Sequence, residues 1–184
     1  MDWTAINGAH APEFPAEVVV AWAHGLTPGT RMLDIGHGAG RHVKAMRGLG
    51  FDCWGVDPFP AFVDRRAGVG DATSLSFPDQ SFDAVLSFGV FYYLDPENFV
   101  LAFWEAARVL KPGGAGLFVV RSQFDGRFRG EVPERERGLS FRCISFSELE
   151  NALNLAGLKY FIGRQRTERP DRIDDDWIVY ASKP

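Results

Sequence analysis

Two aspartates, Asp57 and Asp71, and three glycines in the first half of the chain have the types and spacing to hold a polar ligand. The stretch LDIGHGAGRH, Leu33–His42, places Asp34 just ahead of Gly36, Gly38 and Gly40, and Asp57 and Asp71 follow at the ends of later segments. Glycines take backbone angles closed to other residues and carry no Cβ, so a ligand can lie close against such a turn. The first amides of a helix behind it offer free donors and a partial positive charge to an anionic group. A carboxylate at Asp57 can accept from both hydroxyls of a ribose, and Asp71 with the Ala72 amide can read the edge of an adenine. Together they predict a pocket for an adenosine-bearing cofactor.

The elements that must position these groups follow from local pattern. Arg31 to Ile35 is a short apolar run that suits a buried strand, and the glycines end it before a helical pattern over 40–49. FDCWGVD, Phe51 to Asp57, reads as a second strand, and AGVGDA leads to Asp71 and Ala72. In an open parallel sheet, Asp57 then lies at the carboxyl edge beside the glycine turn. The spacing is G-x-G-x-G. A dinucleotide fingerprint, G-x-G-x-x-G, would need glycine where this chain has Arg41 or Val43. That argues against a nicotinamide-dependent oxidoreductase.

The ordered set of segments resembles the class I S-adenosylmethionine-dependent methyltransferases with the seven-stranded Rossmann-like fold. LDIGHGAGRH is similar to the family's first motif, VDP to its acidic second motif, and GDATSLSFPDQSFDAVLS to its third motif and fourth strand. RVLKPGG, Arg108 to Gly114, resembles the turn before the fifth strand, and FSELENALNLAGLKYF the late helix and sixth strand. The resemblance implies a three-layer α/β sandwich in a single domain, 1–184, with a mostly parallel seven-stranded sheet, helices on both faces and an antiparallel C-terminal strand. It also implies S-adenosylmethionine as cofactor and S-adenosylhomocysteine as product. On that basis the turn of Gly36, His37, Gly38 and Gly40 lies under the amino-acid portion and Asp34 meets the methionine amine. Asp57 takes the ribose, Pro58 covers one adenine face, Asp71 and Ala72 face the adenine, and Ser87 with Phe88 close the pocket.

Other elements complete the fold. Phe14 to Gly25 has an apolar helical pattern, and Phe59 to Arg66 has room for a short helix only. Phe82 to Phe88 reads as a fourth strand. Pro96 to Leu110 is a helix whose Phe99, Phe103, Ala106 and Leu110 recur at core spacing. Gly113 and Gly114 lead into a fifth strand, Ala115 to Arg121. A helix over Ser147 to Ala156 precedes two strands, Leu158 to Arg164 and Trp177 to Ser182, joined by the charged connector ERPDRIDDD.

Composition bounds the function. With 184 residues, one domain can bury roughly 70% of its unfolded surface. A hydrophobic fraction of 46% and an aromatic fraction of 14% exclude a disordered chain. The formal net charge of −4 provides no footprint for a nucleic-acid backbone. Cys53 and Cys143 lack metal-ligand spacing, no metal site is expected, and the short apolar run EVVVAWA cannot span a bilayer. A cytoplasmic location is the expectation.

The acceptor side is less defined. Phe91, Tyr92 and Tyr93 follow the fourth strand, and Tyr92 or Tyr93 is placed to face substrate while the run also packs the core. The segment 122–142 mixes Phe124, Phe128 and Phe141 with arginines, glutamates and Asp125 and has no clean period. It reads as a lid contributing Phe124 to the acceptor pocket, or as a charge-mixed surface loop. His37 either contacts cofactor or fills its turn; His42 reads as packing; His10 sits in a segment that folds over cofactor in relatives, or in a solvated loop. A small-molecule acceptor is the expected substrate. The chain lacks the Asn/Asp-Pro-Pro-aromatic and Pro-Cys motifs of DNA methylases, and the alternatives are a protein or RNA methyltransferase and a non-catalytic cofactor-binding partner.

Overall fold

The computed structural model describes residues 14–129, 141–170 and 172–184. Four helices, α1 (Glu17–Ala23), α2 (Arg41–Gly48), α3 (Pro96–Val109) and α4 (Phe146–Leu155), alternate with strands β1 (Arg31–Ile35), β2 (Asp52–Asp57), β3 (Ala67–Val69), β4 (Phe82–Phe88), β5 (Leu110–Arg121), β6 (Lys159–Glu168) and β7 (Ile173–Ser182). The strands form one sheet in the order β3-β2-β1-β4-β5-β7-β6. All pairings from β3 to β5 are parallel, and β7 runs antiparallel to both β5 and β6.

Each face of the sheet buries its own apolar set. Leu33, Ile35, Val85 and Phe118 pack against Phe99, Phe103 and Ala106 of α3 and Leu149 and Leu153 of α4. Met32, Ala84, Leu86 and Val119 meet Val19 and Ala23 of α1 and Val43 and Met46 of α2. The near-continuous burial of β1 and β4 is what a parallel strand covered on both faces requires. Because strand order reverses between β1 and β4, a crevice opens above their carboxyl ends, where ligands of such sheets bind.

Three expectations are corrected. No helix forms between β2 and β3: Phe59–Arg66 is irregular, tied down by an Arg47–Asp64 ion pair at 2.5 Å and by Phe62 lying on Gly40. The fifth strand starts at Leu110, because Lys111–Gly114 forms a bulge within it, between the pairs Phe82–Leu110 and Ala84–Ala115. The final hairpin is longer than its apolar residues suggest, since Asp174, Asp175 and Asp176 lie inside β7. Arginines match the first two: Asp174 meets Arg127, Arg169 and Arg172, and Asp175 meets Arg164.

Candidate cofactor and acceptor site

The glycine turn is set by packing as much as by any ligand. Gly36 has a φ of +82°, and a Cβ there would fall 2.2 Å from Val90 Cγ2. Gly40, at +76°, would place a Cβ 2.5 Å from the Phe62 ring. Val90 after β4 and Phe62 before β3 therefore hold the turn closed from two sides. The Gly38 amide donates to Asp57 Oδ2 at 3.0 Å and the Phe59 amide to Asp57 Oδ1 at 2.7 Å. Each carboxylate oxygen retains a lone pair for a further donor.

Asp34 is the outlier of the site. Its side chain is buried, and among the described residues neither oxygen has a hydrogen-bond partner. Burial pushes its carboxyl up to about 7, the nearby Arg41 charge opposing and Asp57 adding. Ser87 Oγ is likewise buried without a partner. Orphaned buried polar atoms are rare in native proteins and call for an explanation. A ligand that brings an ammonium to Asp34 satisfies that carboxyl, and its hydroxyls can use the lone pairs left on Asp57, so these two residues fit the amino-acid and ribose portions of an adenosyl-amino-acid cofactor.

The remaining site residues divide. Asp71 is exposed, its Oδ1 accepting from the Thr73 amide and hydroxyl in a local turn, and Ala72 beside it is buried. Pro58 is exposed at the end of β2. Phe88 packs against His42 at 5.2 Å and lies under the Arg41 guanidinium at 5.0 Å. His37 lies against β2: a Cβ on Gly55 would meet its ring at 2.6 Å, and Phe62 sits edge-on to it. Burial lowers its pKa. His42 is buried, accepts from the Ala16 amide at 3.3 Å, and is pushed down to about 3 by burial and then by Arg41.

On the acceptor side, the Tyr92 ring packs against Tyr93 with centroids 4.5 Å apart and planes tilted by 42°, while Phe91 fills the core. Phe124 is not joined to them. It packs on Trp177 under Arg164 and lines a cavity of about 380 Å³ with Gln123, Asp125, Arg164, Arg166, Ile173 and Asp175. The centre of the segment read as a lid, 130–140, and His10 lie outside the described residues.

Sequence reading gave Arg41 no role toward a ligand, and here it is the cation nearest Asp34, donating to the Phe14 carbonyl. Its place in the first turn of α2 was the available signal. Arg121 and Asp176 were also missed, because their neighbours come from strands far apart in the chain. Among the described residues there is no cluster that could hold a metal ion, and no helix long and apolar enough to cross a membrane.

Comparison with known proteins agrees with this geometry. Residues 33–118 match the family model described as a methyltransferase domain. The chain is 36% identical over 128 residues to a fatty-acid O-methyltransferase of Mycolicibacterium smegmatis, covering 61% of this chain and 43% of that protein. It spans less than half the length of the curated relatives it matches first. A methyltransferase structure from Methanosarcina mazei superposes with a TM-score of 0.74 at 20% identity, covering 92% of this chain and 98% of that one. The Burkholderia thailandensis 1,6-didemethyltoxoflavin-N1-methyltransferase, solved with its substrate and S-adenosylhomocysteine, gives 0.70 at 21% identity, covering 91% and 77%. A doubly wound sheet of this strand order carries methyltransferase-domain sequence from its first strand to its fifth, so in fold and over that segment the chain is similar to S-adenosylmethionine-dependent methyltransferases.

Proposed function

We propose that the chain transfers a methyl group from S-adenosylmethionine to a small-molecule acceptor. The observation that carries this reading is Asp34, a buried carboxyl without a partner near the end of β1, close enough to Asp57 and Arg41 for their charges to act on it. Asp34 takes the ammonium of the cofactor's amino-acid portion, Asp57 the ribose hydroxyls, and Asp71 with the Ala72 amide the adenine edge. When bound, the cofactor supplies a sulfonium methyl that is already a competent electrophile. The chain's own contribution is to hold, orient and keep water from the reacting groups, and alignment of that kind can be worth ~7–11 kcal/mol.

A small-molecule acceptor is supported by relatives named for fatty-acid, quinol and menaquinone precursors and by the toxoflavin enzyme above. The net charge of −4 agrees with an acceptor other than nucleic acid. Calorimetry with S-adenosylmethionine, S-adenosylhomocysteine and NADH tests the donor. Both adenosyl ligands should bind and NADH should not; binding of NADH alone would overturn the reading.

A further inference from the structure

The carboxyl edge of the sheet carries a second polar cluster that the donor site does not use. Paired strand residues share a face, so Asp34, Leu86, Leu117 and Tyr180, which are register partners across β1, β4, β5 and β7, all point one way. Phe88 lies two residues beyond Leu86, and Asp176 four residues from Tyr180. Both therefore share the face of Asp34. Strands β1 and β7 are three strand spacings apart, roughly 14 Å, which sets the separation of the Asp34 end from the Asp176 end along the carboxyl edge.

Arg121 links the two ends. Its Nη1 meets Asp176 Oδ1 at 2.9 Å, and its guanidinium lies 5.4 Å over the Tyr92 ring. The Tyr92 hydroxyl reaches the end of β4, where a Cβ on Gly89 would lie 3.6 Å from it. The charged groups around Asp176 are Arg121 on β5, Asp174 on β7, and Asp125 and Arg127 after β5. Arg127, Arg169 and Arg172 pair with Asp174, and Arg127 also with Asp125. Asp176 pairs with Arg121, whose Nη1 also lies 3.4 Å from Asp125 and 3.8 Å from Asp174. The Asp176 side chain is 22% exposed, and among the described residues no hydrogen bond reaches Oδ2.

We propose that Asp176, held by Arg121 beside the Tyr92–Tyr93 pair, binds and deprotonates the acceptor, and that the acceptor is a flat ring bearing an O–H or N–H nucleophile. This rests on the donor site described above. As the acceptor's O or N attacks, its bond to the methyl carbon forms and the methyl–sulfur bond breaks, the pair remaining on the now neutral sulfur. The O–H or N–H proton passes to Asp176 Oδ2 and from there to water. Burial holds the Asp176 carboxyl up at about 6, with Arg121 opposing and Asp174 and Asp125 adding, so the group is a usable base near neutral pH. A carboxylate acceptor has no proton to give and would meet Asp176 as a like charge.

The test compares the wild-type chain with Asp176→Asn. Calorimetry with S-adenosylhomocysteine should give equal Kd for both, and absence of binding to the wild type would overturn the donor-site reading and this proposal with it. Hydroquinone and benzimidazole should release S-adenosylhomocysteine from the cofactor and benzoate should not. In Asp176→Asn, kcat should fall by about 10²-fold with KM within a few-fold, and the acidic limb of the kcat profile at saturating cofactor should vanish. With ¹³C-carboxyl-labelled aspartate in the S-adenosylhomocysteine complex, the resonance missing from Asp176→Asn should move on addition of hydroquinone. Methylation of benzoate, turnover of the ring probes by Asp176→Asn at the wild-type rate and pH profile, or cofactor binding with no ring probe methylated and no resonance moved, would each overturn the proposal.

Discussion

Asp34 concentrates the chemistry of the proposed donor site in one carboxyl group. In the ligand-free fold its pKa lies near 7 against an ordinary value of 3.8, so the folded state holds the proton more tightly than the unfolded chain. Stability is therefore greatest at acidic pH as far as this group is concerned, and falls as pH rises from about 4 to about 7, by on the order of 4 kcal/mol. Asp34→Asn should remove that slope in denaturant melts taken between pH 4.5 and 8. Ligand affinity should run the opposite way, because an ammonium needs the ionised carboxylate. The Kd for S-adenosylhomocysteine should tighten up to tenfold per pH unit toward pH 7 and then level off, and Asp34→Asn should be weak and flat. His42, held near 3 by burial, stays neutral in the folded state across this range and should leave the Kd profile unchanged, while in the melts it acts oppositely to Asp34 and lowers stability as pH falls below about 6.5. Asp57→Ala loses both the ribose acceptors and the caps on the Gly38 and Phe59 amides, so calorimetry should show affinity for S-adenosylhomocysteine reduced by about 10–100-fold.

At the scale of elements, the glycine turn shows why spacing is readable and its cause is not. The G-x-G-x-G pattern announces a turn that other residues cannot make, yet the side chains that demand glycine, Val90 and Phe62, come from loops 54 and 22 positions further along. Gly36→Ala combines a left-handed backbone with a clash against Val90 and should cost about 2–4 kcal/mol in thermal or denaturant unfolding. Adding Val90→Ala should recover the steric part and leave the backbone part. Helix α3 was legible almost to the residue because local signals agree. Asp95 caps the Asn98 amide at 2.9 Å, Pro96 opens the helix, and Phe99, Phe103 and Ala106 line its buried face. The segment Phe59–Arg66 misled for the converse reason: nothing in its own pattern shows that Phe62 and Asp64 are drawn to Gly40 and Arg47.

Across the whole molecule, the proposed adenine side of the donor site depends on the opposite layer. Glu105 of α3 accepts from the Leu75 amide at 2.7 Å and pairs with Arg108, whose guanidinium also donates to the Leu75 and Phe77 carbonyls. The loop carrying Asp71 and Ala72 is thus anchored to a helix some thirty residues later. Glu105→Ala leaves the Leu75 amide and the Arg108 charge short of a partner. It should destabilise the fold by ~3 kcal/mol and weaken S-adenosylhomocysteine binding by a few-fold, both read from ligand-dependent melts.

The sequence by itself determined the parallel sheet, the glycine turn and the acids that follow it, because strand burial, turn geometry and helix capping act over a few residues. The tertiary structure alone decided that Asp34 is left without a partner, that Lys111–Gly114 is a bulge inside β5, and that the acid run Asp174–Asp176 belongs to a strand. A run of three aspartates reads locally as a solvated connector, since the arginines that balance it are supplied by β5, β6 and the loops beside them. Charge pairing across a sheet depends on register between distant segments, and only the folded chain sets that register.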